Sequence, residues 1–143
     1  MPNLLSATGC VNTQNPAQPA NGLIPYEPAA PFWSDNATKE RWLAVPNSTS
    51  IGVGSDGDFG LPNGTVLMKH FRLGGNLIET RLFMRHPDGD WAGYTYEWNE
   101  QGSDAALLPA GKVKDLGAAR RGRTRADRNA SSVTLPRPVA RWA

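Results

Sequence analysis

His70 and His86 are the two histidines of this 143-residue chain, and Cys10 is its one cysteine. Zinc needs three or four ligands, so three residues this far apart in sequence do not make a protein-only metal site. A single cysteine also excludes an intrachain disulfide. Paired carboxylates occur at Asp56-Gly57-Asp58 and at Asp88-Gly89-Asp90. Clustered carboxylates suit a hard cation, but neither set has the spacing of a calcium loop, and Asp and Gly are also the residues that turns prefer. Both are read as turns. Asp58-Phe59-Gly60 matches a kinase magnesium motif in letters only, because no catalytic loop or glycine-rich nucleotide loop accompanies it. No serine on a recognisable nucleophile turn is paired with His and Asp. No catalytic, cofactor-binding or metal-binding residue is assigned to this chain.

What remains are side chains that recognise rather than react. Glu79, Arg81 and Arg85 alternate in "LIETRLFMRH", a spacing that puts them on one face of a strand. Such a face is either solvated, with cross-strand ion pairs, or a partly buried network around a polar ligand. Trp91, Tyr94, Tyr96 and Trp98 follow close behind. Large aromatics in a β protein either anchor a core or stack on sugar rings. These seven residues are the candidate ligand or docking surface.

The elements that must position them are strands. Fifteen Gly and twelve Pro in a chain 39% hydrophobic point to a turn-rich, mainly β protein. Six prolines between Pro16 and Pro46 favour extended loops over the first third. One helical turn is expected where Ser34 or Asp35 caps "NATKERW", with Trp33 and Trp42 anchoring the loops to the core. A short strand in "SIGVG" and a Gly/Asp turn precede a longer strand from Thr65 to Leu73. Gly74-Gly75-Asn76 signals a hairpin turn, Leu77 to Arg85 is the next strand, and His86 to Asp90 turns the chain into Trp91 to Trp98. Ile78, Leu82 and Met84 are expected on one face, with Glu79, Arg81, Phe83 and Arg85 on the other. Tyr94, Tyr96 and Trp98 share a face opposite Thr95 and Glu97. The expected fold is an antiparallel sandwich or partial barrel over residues 22–115, after an extended segment at 1–21 and before a disordered basic tail at 116–143.

That tail reads differently from the rest. Seven arginines against one acid give +6 from Leu116 onward, and the whole-chain +2 then leaves −4 for residues 1–115. A basic arm could contact nucleic acid, but this one lacks aromatic interleaving and any amphipathic period, so no nucleic-acid partner is expected. No segment approaches the ~20 apolar residues of a membrane span. "MPNLLSATGC" lacks the basic start and long apolar core of a secretion signal.

The blocks "GLIPYEPAAPFWSDNATKERWLAVP", "DFGLPNGTVLMKHFRL" and "LIETRLFMRHPDGDWAGYTYEWNEQGSDA" resemble an uncharacterised domain of bacterial secreted proteins. That family carries the domain upstream of a c-type (di-haem) cytochrome segment, or appended to pyrroloquinoline-quinone (PQQ)-dependent glucose/sorbosone dehydrogenase propellers. The resemblance covers about Leu4 to Lys114. It implies a non-catalytic accessory or docking domain of a periplasmic or secreted electron-transfer protein, partnered by a cytochrome c or quinoprotein dehydrogenase domain. The haem c and PQQ belong to those neighbours. The pattern departs at about Gly117, where relatives continue to an aromatic strand and the haem attachment motif Cys-x-x-Cys-His. Read one base out of frame, codons available to Ala118–Ala143 yield that continuation, Cys-Leu-Gln-Cys-His included. The resemblance therefore implies a frameshift after Gly117. A carbohydrate-binding β-sandwich module, using Trp91, Tyr94, Tyr96 and Trp98, is the alternative.

Overall fold

Between Thr65 and Trp98 the chain alternates outward and inward side chains in runs broken by glycine-rich turns, and each run becomes a strand. The computed structural model describes residues 1–30 and 37–109, and the backbone of 112–115 and 121–124. The strands are β1 (Ile24–Pro25), β2 (Thr38–Ala44), β3 (Gly52–Val53), β4 (Phe59–Gly60), β5 (Val66–Leu73), β6 (Asn76–Arg85), β7 (Trp91–Trp98), β8 (Ala105–Leu107), β9 (Lys112–Asp115) and β10 (Arg121–Thr124). Six of them form one antiparallel sheet in the order β1-β2-β5-β6-β7-β8, while β3 pairs with β4 and β9 with β10. The protein is mainly β and antiparallel, as its composition and patterning require.

Gly74 and Gly75 join β5 to β6 with φ of 58° and 87°. Two consecutive positive φ values make the primed turn whose twist matches the flanking strands, and glycine adopts them without a steric cost. Arg85 closes the neighbouring turn by donating from Nε to the Gly89 carbonyl at 3.2 Å, and it also donates to the Leu61 carbonyl.

Two expectations are corrected. "NATKERW" is not a helical turn: residues from Thr38 onward form β2, paired along its full length with β5. Its side chains alternate. Trp42 and Ala44 pack on the core, with Lys39, Arg41 and Leu43 between them, and tertiary pairing of this kind overrides a local cap signal. Ser34, Asp35 and Trp33 lie outside the described residues. The second correction concerns Ile78. Phe71 pairs with Glu79 but Arg72 with Leu77, so Ile78 is the extra residue of a β-bulge, which resets the alternation. Leu77 packs against the core in its place.

The core lies on one face of the sheet and unites Val66, Met68, Leu82, Tyr96, Trp98 and Ala105 with Leu5, Cys10 and Val11. The first residues are therefore built into the core. A 3-10 turn at Leu5–Thr8 delivers Leu5, and a bridge from Leu4 to Ala106 covers the β8 edge. Within the stretch expected as a basic tail, the backbone of Arg121–Thr124 pairs with β9 as β10. The rest of that tail lies outside the described residues.

Candidate functional site

The residues singled out by sequence divide between the two faces of the sheet. Tyr96 and Trp98 are core, at 0% and 1% exposure, and Tyr94 packs half-buried on the same face. Tyr96 donates its hydroxyl proton to the Pro2 carbonyl at 2.9 Å, tying the N-terminus down. Trp91 is on the opposite face, stacked on Phe83 with centroids 4.8 Å apart and planes 13° from parallel. The four aromatics do not form one surface: Tyr96 and Trp98 are core anchors, and Trp91 lies on the opposite face.

Beneath Trp98 lies a buried polar cluster. Trp98 Nε1–H donates to Thr80 Oγ1 at 2.8 Å, and that oxygen lies 2.6 Å from His70 Nδ1. Trp42 and Trp98 meet the imidazole edge-on, at 4.9 and 5.9 Å. His70 Nε2 is buried without a partner. Burial pulls the His70 pKa down to about 4, with Arg72 adding to the shift and Glu40 opposing it, so the ring is neutral at pH 7. His86 instead lies at the surface end of β6, its Nε2 3.0 Å from the Tyr94 hydroxyl. Cys10 is buried, and burial pushes its thiol up. Among the described residues no group of three His, Cys, Asp or Glu side chains is placed to hold a metal. The two carboxylate turns use their carboxylates internally: Asp56 Oδ1 accepts from the Asp58 amide and Asp88 Oδ1 from the Asp90 amide. Those are Asx turns.

The outer face, away from the core, holds the remaining candidates. Glu79 and Arg81 form an ion pair there, with Glu79 only 3% exposed. Burial pushes the Glu79 carboxyl up, against the pull of Arg81 and Lys69. Arg85 is committed to the turn contacts already described. Sequence reasoning missed four neighbours. Arg41 and Lys69 stand in line with Arg81, and Leu67 and Gly93 in line with Phe83. Lys69 Nζ and Arg81 Cζ each sit 4.7 Å from the centre of the Phe71 ring. The signal was present in the alternation of Lys39, Arg41 and Leu43, but a helical reading of that stretch concealed it. The outer face is thus cationic and aromatic, with Phe83 exposed.

No family model, curated protein or solved structure matches the chain.

Proposed function

We propose that this chain is a non-catalytic accessory domain that docks the cytochrome c or quinoprotein dehydrogenase domain of a periplasmic electron-transfer protein. The observation that carries it is the outer face, where Phe83 and Trp91 stack beside the cations Arg41, Lys69 and Arg81. A stacked aromatic pair and arginines are among the residues enriched at interface centres, and Glu79 on the same face is paired with Arg81. The resemblance of Leu4 to Lys114 to the domain upstream of a cytochrome segment supplies the partner.

The residues of this chain do not fit haem c. Covalent attachment takes two cysteine sulfurs and an adjacent axial histidine, whereas Cys10 is single and buried in the core. Haem therefore belongs to the partner, and no electron-transfer step is assigned to any residue here.

The coding DNA tests the partner assignment. A frameshift after Gly117 requires AAT at Asn129, so that the shifted frame reads cysteine; AAC there reads arginine and overturns it. As written, the chain expressed in a periplasm with haem-attachment machinery shows no Soret band. Restoring the frame, with the remainder of the cytochrome segment present, gives a covalently haem-bearing product; a restored frame without covalent haem contradicts the assignment.

A further inference from the structure

Arg41, Lys69 and Arg81 stand directly opposite one another on β2, β5 and β6, a row of cations at strand spacing, about 4.8 Å. Like charges directly opposite destabilise a sheet. The effect is visible at Lys69, where burial, then Arg41, Lys39 and Arg81, pull the ammonium down to about 8 while Glu79 opposes them less strongly. The local field is positive. Two residues along the strands, about 7 Å away, the same face turns apolar: Leu43, Leu67, Phe83 and Gly93 form the next row. Gly93 contributes no side chain, and a cleft of about 260 Å³ opens there, lined by Tyr26, Leu67, Lys69, Arg81, Phe83 and Gly93 among others. On the other side of the cation row stand Lys39, Phe71, Glu79 and Glu97; there the Phe71 ring lies against both Lys69 Nζ and Arg81 Cζ, and two carboxylates disfavour an anion. An anion drawn to Lys69 and Arg81 therefore extends towards Phe83.

We propose that this cleft binds a small organic carboxylate with an apolar body, the carboxylate between Lys69 and Arg81 and the body against Leu67 and Phe83 over Gly93. Two cations at one end match the charge, and a guanidinium presents several N–H donors, so engagement of Arg81 Nε with Glu79 leaves others to face a ligand. The apolar row fixes direction and length: a body centred about 7 Å from the carboxylate fills the hollow. The site shares Phe83, Lys69 and Arg81 with the proposed docking face, so a docked partner domain would cover it, and the test therefore uses the chain alone.

The test titrates the isolated chain with 3-phenylpropionate, followed by NMR shifts of Leu67, Lys69, Phe83 and Gly93. Those residues shift together and saturate. Acetate, which has the charge without the body, and 3-phenylpropanol, which has the body without the charge, each bind at least ~10-fold more weakly. Lys69→Met weakens 3-phenylpropionate at least ~10-fold, and Lys69→Arg retains it. Phe83→Ala, which alters an exposed side chain, weakens it as well and guards against a Lys69 variant that has lost its fold. Affinity is level around neutral pH, where the ligand is a carboxylate, and falls as Lys69, facing Arg41 and Lys39 from β2 and Arg81 and Glu79 from β6, loses its proton above about 8. Lys69→Met removes that dependence. Equal binding of the acid and the alcohol, or saturable shifts that miss these residues, overturns the proposal; neither result bears on docking of a partner domain.

Discussion

His70 sits where a hydrophobic residue would pack most easily, edge-on to Trp42 and Trp98, with one side-chain hydrogen bond, to Thr80. Its chemistry is best understood as a constraint on stability. The unfolded chain takes a proton at an ordinary histidine pKa of 6.5, the folded protein only at about 4. Between those values the unfolded state binds more protons, so stability is fully present above pH 6.5 and drains as pH falls towards 4. The loss is on the order of 3 kcal/mol, at about 1.4 kcal/mol per pKa unit. Glu79 works in the opposite sense. Its carboxyl is raised by burial, so the folded state accepts that proton more readily than the unfolded chain and stability gains as pH falls. Comparing urea midpoints at pH 7 and pH 5 for the native chain and His70→Gln separates the two. The native protein loses stability at pH 5, and the variant loses much less. An equal loss in both would place the acid sensitivity elsewhere.

At the level of elements, β5, β6 and β7 were legible because their patterning and their turns agreed. Trp91–Trp98 was read to the residue, and the glycine pair at the β5–β6 turn left little choice of register. Two features were not legible, for physical reasons. β2 carries a capping signal at its start, and its strand character comes from pairing with β5, a contact over long sequence separation. The bulge at Ile78 has no local marker, since a single register slip is decided by what the two strands bury. The N-terminal segment was likewise read as extended chain, although Leu5 and Val11 complete the core with 0% and 2% exposure. Replacing Leu5 by Ala should therefore destabilise the whole protein by about 2–5 kcal/mol, the range for a buried leucine. Calorimetry measures this directly. A change below about 0.5 kcal/mol, typical of surface positions, would mean that the segment only rests on the sheet.

For the whole molecule, one sheet separates two kinds of chemistry. The inner face closes over Trp98, Tyr96 and His70; the outer face presents cations and a stacked aromatic pair. Alternation within each strand grouped Glu79, Arg81 and Arg85, and Tyr94, Tyr96 and Trp98; that the two groups lie on opposite faces of the sheet needed the pairing register. Trp91 looked like a companion of Trp98 and is instead a companion of Phe83. Docking through the outer face is tested most directly by hydroxyl-radical footprinting of the chain alone and of the frame-restored protein carrying its cytochrome segment. Docking predicts that Phe83 and Trp91 become protected in the longer protein, while Phe59, exposed on the separate β3–β4 ribbon, reacts as before. Equal labelling of Phe83 and Trp91 in both proteins would contradict it.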